Sequence, residues 1–329
     1  MRGGRKLQDT VTVVTGASSG IGRATAQMLA TTGATVVATA RRETALRELA
    51  EECAGERGEV HPMPADVTDL DATEDVARET VGRFGRLDGW VNNAGVNQYG
   101  PFEEVPFDEW RRVVEVNLLG QAHGARAAIP YFREQGRGVL VNVTSVLSKV
   151  SSPLQSAYVA SKFGVRGLTD ALRQELADVR DIHVCNVLPG PIDTPLFQSA
   201  ANHTGVRITA PEPTVDAARC AAAILRVLVK PEDEIGVGLN TRLGLAGNRV
   251  APRITDRVAA PMMVAAHLDD DEVTEPTAGI LFEPADDEAA QVSGGWKPVR
   301  AGRPGRTLAM AAGAATLAAA AAMKVRDSR

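Results

Sequence analysis

The sequence predicts an α/β fold in which helices cover both faces of a doubly wound parallel sheet of about seven strands. The chain opens with a β-branched run, a glycine turn and a helix that leads into a second strand. Strand and helix patterns then alternate as far as residue 239, after which acidic, Pro-Gly and alanine-rich segments follow. We therefore expect one domain over residues 1–240 and a C-terminal extension over residues 241–329.

Composition limits the class of protein. The 329 residues carry a formal net charge of −5 with both signs interspersed, so no basic face is expected to bind nucleic acid. Cys53, Cys185 and Cys220 are far apart and lack partners at metal-ligand spacing, which predicts packing residues in a reducing compartment and no metal site. No apolar run precedes Val11, so we expect a cytoplasmic protein without a secretory signal.

The first βαβ unit begins at Thr10, and its second strand is expected from Thr35 to Ala40. Between these strands, glycines at positions 16, 20 and 22 allow the backbone to turn tightly and to approach a diphosphate. A helix begins near Gly20, and its unpaired N–H groups and positive dipole end favour a dinucleotide in a Rossmann-like fold. The alternative is a tight connection without a ligand, because the spacing differs from G-x-G-x-x-G.

Two arginines follow the second strand, where an acidic residue would bind a ribose 2′-hydroxyl. Arg41 and Arg42 offer planar donors to a 2′-phosphate, which favours NADP(H) over NAD(H). The alternative is that both arginines begin the next helix, expected from Glu43 to Cys53, on its solvent side.

The alternation continues to the end of the predicted domain. We expect strands over Glu59–Ala65, Leu87–Asn92, a stretch from Val139, Ile182–Leu188 and Glu234–Leu239, and helices over Asp69–Phe84, Asp108–Gln135, Ser156–Arg180 and Thr214–Val229. Asp66 either binds an adenine amino group or is an ordinary turn residue at a strand end. Asn117 interrupts an apolar stripe of the longest helix, which predicts a local kink or a water relay.

The stretch from Val139 to Lys162 carries the most distinctive chemistry. A buried strand ends near Ser145, a polar loop follows, and a helix begins that holds Tyr158 and Lys162. Residues four apart share one face of a helix, so the ammonium is positioned to stabilise the ionised phenol. Taken alone, the pair is also typical of an ordinary amphipathic surface.

In chain order, these residues resemble the classical short-chain dehydrogenases/reductases over about residues 9–240. The resemblance rests on Thr15-Gly16-Ala17-Ser18-Ser19-Gly20-Ile21-Gly22, Asp66-Val67, Asn92-Asn93-Ala94-Gly95, Asn117, Ser145, Tyr158-x-x-x-Lys162 and Pro189-Gly190-Pro191-Ile192-x-Thr194. Two departures are Ser19, where some NADP-dependent members carry a basic residue, and Val146–Val150, where smaller residues often follow the serine.

The resemblance implies a role for each matching position. Tyr158 would exchange a proton with the substrate oxygen, Lys162 would lower the pKa of Tyr158 and hold the nicotinamide ribose, Ser145 would bind the substrate carbonyl, and Asn117 would hold a relay water. NADP(H) would be bound by Gly16, Ser18, Ser19, Gly20, Ile21 and Gly22 (diphosphate and adenosine ribose), Arg41 and Arg42 (2′-phosphate), Asp66 and Val67 (adenine), Asn93, Ala94 and Gly95 (adenosine side), and Pro189, Gly190, Ile192 and Thr194 (nicotinamide end). A homodimer or homotetramer through the helices containing Asn117 and Tyr158 is implied as well.

The extension is expected to contain a helical stretch over residues 240–268, an arm from Asp269 to Gly305 and an apolar, alanine-rich end from Leu308 to Met323. The helical stretch would cover the substrate pocket or a subunit interface, and the arm would dock onto the body or a neighbouring subunit. The apolar end has sixteen residues, fewer than the ~20 of a membrane span, so membrane contact is less favoured than docking on protein.

Three functions remain open at this stage. The leading hypothesis is an NADPH-dependent reductase of small carbonyl compounds, or in reverse an alcohol dehydrogenase. The others are a non-catalytic NADP(H)-binding sensor or scaffold, and a membrane-tethered reductase of a lipid-like substrate. Loops over residues 96–107, 148–155 and 195–211 are expected to line the substrate pocket, with Leu154, Leu196 and Phe197 as an apolar wall.

Overall fold

The protein is organised around a parallel β-sheet in the computed structural model, which describes residues 6–238, 264–284 and 290–296. Its strands are β1 (Val11–Thr15), β2 (Thr35–Thr39), β3 (Glu59–Pro62), β4 (Gly89–Asn92), β5 (Gln98–Tyr99), β6 (Gly138–Val143), β7 (Ile182–Pro189), β8 (Ile192–Asp193), β9 (Ala201–Asn202), β10 (Val206–Ile208), β11 (Val215–Asp216), β12 (Glu234–Val237) and β13 (Leu268–Val273). Its helices are α1 (Gly20–Thr31), α2 (Glu43–Glu52), α3 (Leu70–Phe84), α4 (Phe107–Val114), α5 (Gly120–Gln135), α6 (Ser156–Glu175) and α7 (Ala217–Val229).

Seven strands form the main sheet in the order β12-β7-β6-β4-β1-β2-β3, and every neighbouring pair is parallel. The chain therefore winds outward in both directions from β1, which confirms the predicted doubly wound sheet. The crevice at the carboxyl ends of β1 and β4, where the winding direction reverses, is where ligands bind in folds of this kind.

Helices cover both faces of the sheet, and each face has its own apolar core. On one face, Leu29 of α1, Leu46 of α2 and Ile224 of α7 are fully buried in a single cluster. On the other face, Val76 of α3, Phe132 of α5 and their neighbours form a second cluster against the sheet. Both faces of the central strands are thus buried, in agreement with the predominantly apolar and β-branched sequences of β1 and β6.

The predicted helix Asp108–Gln135 is interrupted, as the position of Asn117 suggested. Five residues, Glu115–Leu119, form a π-helical turn between α4 and α5. Other bounds are shorter than predicted: β3 ends at Pro62, α6 ends at Glu175, and α7 begins at Ala217 because Val215 and Asp216 pair with β8. Asp69 is the N-cap of α3, where its side chain accepts the Ala72 N–H.

Part of the predicted extension lies against the domain that contains the main sheet. β13 pairs with β10 in an antiparallel ribbon, and the chain then continues as a segment that we call the C-terminal arm, residues 274–284 and 290–296. Most of the predicted helical stretch (239–263), the end of the predicted arm (297–305) and the apolar end (308–323) lie outside the described residues. Within those residues, no helix has the length and apolar character needed to cross a membrane.

Candidate active site

The glycine turn after β1 is held against the end of β4. The Thr15 hydroxyl accepts the N–H groups of Asn93 (2.9 Å) and Ala94 (3.0 Å), and Asn93 Nδ2 donates to Thr15 O at 2.9 Å. Gly16 has a φ of +65°, which favours glycine. A Cβ on Gly22 would lie 2.3 Å from Gly16 O, so this glycine allows α1 to approach the chain's own backbone.

Ser145 and Tyr158 come together at the carboxyl end of β6. Ser145 begins a short 3₁₀ turn, Val146–Ser148, in which its Oγ accepts the Leu147 N–H at 3.1 Å. Tyr158 lies in the first turn of α6, is only 9% exposed and hydrogen-bonds the Ser145 hydroxyl. A substrate oxygen bound beside this pair would contact two hydroxyl groups.

Lys162 lies one turn further along α6 and faces the same site. Its Nζ donates to Val143 O at 3.1 Å and lies 5.4 Å from the centroid of the Tyr158 ring. The spacing of four residues therefore places the cation beside the phenol, as the sequence predicted. The side chain is 3% exposed, so the pair is not the ordinary surface pair that was the alternative.

Burial dominates the pKa values of the Tyr158–Lys162 pair. Burial raises the pKa of Tyr158 to about 12, although the hydrogen bond from Ser145 opposes this, and burial lowers the pKa of Lys162 to about 8. Burial and Ser145 are the causes of the Tyr158 shift, so the expected effect of Lys162 on this pKa stays a prediction. Desolvation disfavours the charged form of each group, which raises the pKa of the phenol and lowers the pKa of the ammonium.

Asn117 is fully buried, and its side chain holds the loop after β4. Its Oδ1 accepts the Val96 N–H at 2.8 Å, and its Nδ2 donates to Val96 O (2.9 Å) and Ser161 Oγ (3.2 Å). The π-helical turn directs this amide toward the loop. Asn117 Oδ1 and Lys162 Nζ lie 3.2 and 3.7 Å from the point where a Cβ on Gly95 would stand, so both flank Gly95.

The residues predicted to bind adenosine are close together, and the C-terminal arm contacts them. Arg42 is buried beside Ser18, and Arg41 donates to two carbonyl oxygens of the arm, so neither arginine simply faces solvent on α2. Asp66 accepts Thr68 N–H (2.9 Å) and Arg112 Nη2 (3.0 Å). Although burial opposes the effect, these bonds and the Arg112 charge lower the pKa of Asp66. In this form Asp66 is therefore an ion-paired turn residue.

The arm also contacts the start of α1 and the segment after β7, which hold predicted diphosphate and nicotinamide residues. Gly20 N, the first N–H of α1, donates to Gln291 O at 2.9 Å. Gly190 follows β7, and Ile192 belongs to β8. Thr194 O accepts Trp296 Nε1 at 3.1 Å.

The donor set suits a nicotinamide dinucleotide. Helix N–H groups and a guanidinium bind oxygen atoms, and in this structure Gly20 N and both Nη atoms of Arg41 each hold a carbonyl oxygen. A 2′-phosphate and a diphosphate present the same kind of acceptor with more charge. Of the other predicted cofactor residues, Ser19 is the N-cap of α1, Ile21 lies in the first turn of α1, and Val67 lies in the loop between β3 and α3.

Sequence reasoning missed a buried polar network beside Tyr158. Asn97 Nδ2 donates to Tyr99 Oη at 3.2 Å and to Gln155 Oε1 at 3.0 Å. Tyr99 is 1% exposed, and burial raises its pKa well above the usual value, with the nearby Tyr158 adding to the shift. Phe197 is buried in the adjoining apolar cluster, so the expected apolar wall is joined by hydrogen-bonding groups. No local pattern marks Asn97 or Gln155, because they meet only through the fold.

Comparison with known proteins agrees with this geometry. Residues 10–205 match the family described as short chain dehydrogenase. Uncharacterized oxidoreductase YxnA of Bacillus subtilis is 35% identical over 268 residues, which cover 79% of this chain and 74% of that protein. The matched part of this chain, 79% of its 329 residues, is longer than residues 1–240, so the similarity continues into the C-terminal extension. The 3-oxoacyl-[acyl-carrier-protein] reductase FabG of Thermotoga maritima is 39% identical over 193 residues, 59% of this chain and 78% of the relative.

Two solved structures share the fold. A short-chain dehydrogenase from Streptomyces avermitilis has a TM-score of 0.65 at 34% identity and covers 74% of this chain and 93% of that one. An alcohol dehydrogenase from Thermococcus sibiricus, complexed with 5-hydroxy-NADP, has a TM-score of 0.61 at 28% identity and covers 69% of this chain and 95% of that one. The protein belongs to the short-chain dehydrogenase family.

Proposed function

We propose that the protein is an NADP(H)-dependent oxidoreductase that interconverts a carbonyl compound and a secondary alcohol. The observation that carries the proposal is the grouping of Ser145, Tyr158 and Lys162 beside a crevice of oxygen-binding donors. Among similar proteins, one is a 3-oxoacyl-[acyl-carrier-protein] reductase and one an alcohol dehydrogenase, which supports the same pair of reactions here.

The nicotinamide, when bound, would supply or accept the hydride. Tyr158 is proposed to give its phenolic proton to the substrate oxygen, or to take it in the reverse direction. Ser145 donates to that oxygen and orients it. Once cofactor and substrate surround the site, the positive charge of Lys162 favours the phenolate that Tyr158 leaves behind.

Asn117 and Lys162 are proposed to complete a proton path. The Asn117 amide keeps the loop at Val96 in place, and its Oδ1 flanks Gly95 together with Lys162 Nζ. A water held between these two atoms would connect the lysine to the protein exterior, which is the relay that the sequence suggested.

Replacing Tyr158 with phenylalanine tests the mechanism. We expect Tyr158→Phe to abolish turnover on a panel of ketones and aldehydes, followed by NADPH absorbance, while NADPH binding measured by calorimetry persists. Tyr131→Phe, on α5 and away from the site, is the matched control and keeps its activity. Normal turnover of Tyr158→Phe would contradict the mechanism. Wild-type protein that binds NADPH and turns over nothing would favour the sensor or scaffold.

The NADP(H) preference is assigned to Arg41, supported by Arg42. Arg41→Ala should lower the ratio of NADPH affinity to NADH affinity, because only NADPH offers a 2′-phosphate. Arg47→Ala, an exposed arginine of α2, should leave the ratio unchanged. Equal loss of both affinities in Arg41→Ala would contradict this assignment.

Self-association is proposed through the surface around α4 and α6. Phe107, Leu119 and Phe163 are 69%, 46% and 41% exposed, and Leu118 contacts Gly164, so the π-helical turn and α6 form one continuous surface. Phe163→Glu should lower the molar mass measured by light scattering. An unchanged mass would remove this surface from consideration.

The domain boundary near residue 240 and a cytoplasmic location stay predictions. The membrane-tethered alternative depends on residues 308–323, which lie outside the described residues. Cell fractionation with and without residues 307–329 would test it, and an unchanged distribution would remove it.

A further inference from the structure

The C-terminal arm follows the crevice from its adenosine end. Arg41 Nη1 donates to Phe282 O at 2.8 Å and Nη2 to Ile280 O at 2.7 Å, and Arg112 Nε donates to Leu281 O at 3.0 Å. Glu283 places a negative charge near the same Arg41 guanidinium. The arm thus gives Arg41 two oxygen acceptors and a nearby negative charge, which are the features that a phosphate group would present to it.

The arm also occupies the centre and the far end of the crevice. Gln291 O accepts the Gly20 N–H, the donor expected to face a diphosphate. At the far end, the Asp193 carboxylate accepts Ser293 Oγ (2.7 Å), Gly294 N (3.0 Å) and Trp296 N (2.9 Å). Contacts at three separate points mean that the arm runs along the crevice.

An apolar anchor fixes the arm near the catalytic residues. Leu281 is 0% exposed and belongs to one buried cluster with Val67, Val96 and Tyr158. These three side chains come from the predicted adenine site, the loop after β4 and the catalytic helix. With Leu281 in this position, Tyr158 is also closed off from solvent.

We propose that the C-terminal arm is an intramolecular competitor of the coenzyme, so that the arm and NADP(H) occupy the crevice in turn and never together. The proposal rests on the proposed function, because it assigns the same donors to NADP(H). The Gly20 N–H and one N–H on each Nη of Arg41 now hold arm oxygens at hydrogen-bond distance, so coenzyme oxygens can use these donors only after the arm has left them. The apparent Kd for NADPH is then the intrinsic Kd divided by the fraction of chains in which the arm is undocked.

Hydrogen exchange on the full chain, with and without saturating NADPH, measures whether coenzyme binding releases the arm or holds it in place. Competition predicts faster exchange in peptides covering residues 279–284 and 290–296, whose amides include Ile280 N bonded to Ser199 O and Trp296 N bonded to Asp193. The β10–β13 ribbon, which lies before the arm, is the internal control and should not change. Slower exchange in both arm peptides would mean that the arm closes over bound coenzyme, and would overturn the proposal.

Variants of the arm measure how much the docked arm weakens NADPH binding, and they leave every predicted cofactor donor unaltered. Leu281→Ser removes the buried anchor, and we expect its Kd for NADPH to fall by about tenfold, the order that loss of one buried leucine from the docked form implies. Val273→Ser is the matched control, because Val273 is 82% exposed at the end of β13. Gly294→Ala tests the other end of the arm, since a Cβ there would lie 2.3 Å from Thr194 O.

The outcomes separate the two proposals. Equal NADPH affinity in wild type, Leu281→Ser and Gly294→Ala, or weaker binding by the two arm variants with an unchanged circular dichroism spectrum, would overturn the competition alone. No NADPH binding by any of the folded chains would overturn the proposed function and the competition with it.

Discussion

Replacing Gly22 with alanine tests why a glycine stands at the second residue after the start of α1. The residue lies inside the helix, where alanine would normally stabilise by about 1 kcal/mol relative to glycine. The added Cβ, however, would lie 2.3 Å from Gly16 O and 2.5 Å from Asn93 Nδ2. Both neighbours belong to the bonded junction between β1 and β4, so neither moves freely.

The magnitude follows from the contact. Overpacking in a rigid site typically costs about 1–3 kcal/mol, and contact with a backbone oxygen places Gly22→Ala at the upper end. After subtraction of the helix-propensity gain, we expect the free energy of unfolding to fall by about 2 kcal/mol. A loss of that size lowers Tm by several degrees in a domain of this length.

Thermal and urea unfolding measure this effect, with Gly82→Ala as the matched control. Gly82 also lies inside a helix, but a Cβ there meets nothing within 4 Å, so its replacement should stabilise by about 0.5–1 kcal/mol. The sign of the effect should therefore differ between the two variants. Gly22→Ala with stability equal to or above that of the wild type would refute the reasoning.

Two further predictions concern the buried polar residues of the site. Asn117→Ala should lower the free energy of unfolding by about 1–3 kcal/mol, because the N–H and C=O of Val96 lose their partner, and an unchanged urea midpoint would contradict this. Burial lowers the pKa of Lys162 from 10.5 to about 8, so the unfolded chain binds more protons between these values, and this lysine's contribution should make stability rise from about pH 8 toward pH 10. Burial raises the pKa of Tyr158 from 10.0 to about 12, so its contribution should make stability fall above pH 10. Unfolding curves at several pH values give the slope of the free energy of unfolding against pH, below and above pH 10. Lys162→Met is the comparison for the lysine, and identical slopes in the two chains between pH 8 and 10 would contradict the lysine assignment.

The sequence predicted the elements of the site because parallel strands leave little freedom. Gly16, Asn93 and Ser145 each follow a strand that the sequence predicts, and the carboxyl ends of parallel strands meet at one edge. Their proximity therefore follows from the fold class. The kink at Asn117 was also predictable, because a buried amide in an apolar stripe must find partners off the helix.

The properties that escaped the sequence depend on long-range contacts and burial. Arg41 and Phe282 are 241 residues apart, and no periodic pattern connects them. Asp193 stood unassigned within the motif at the end of β7, yet it is the anchor for Ser293, Gly294 and Trp296. The effect of burial on the Tyr158 pKa escaped the sequence for the same reason: spacing on a helix shows that a cation is near, whereas burial depends on what covers the site.

Arg41 carries two proposed roles, as the residue that selects NADP(H) and as a contact of the docked arm, and the two roles make opposite predictions for NADH. Strict competition raises the Kd of both coenzymes by the same factor, so Leu281→Ser should tighten NADPH and NADH equally and leave their ratio unchanged. Arg41→Ala removes two bonds of the arm and the partner of the 2′-phosphate, so NADH should bind more tightly than to wild type while the preference for NADPH falls. Calorimetry with both coenzymes on both variants measures the four constants. A ratio that changes in Leu281→Ser would mean that the arm still contacts the bound coenzyme, which strict competition forbids.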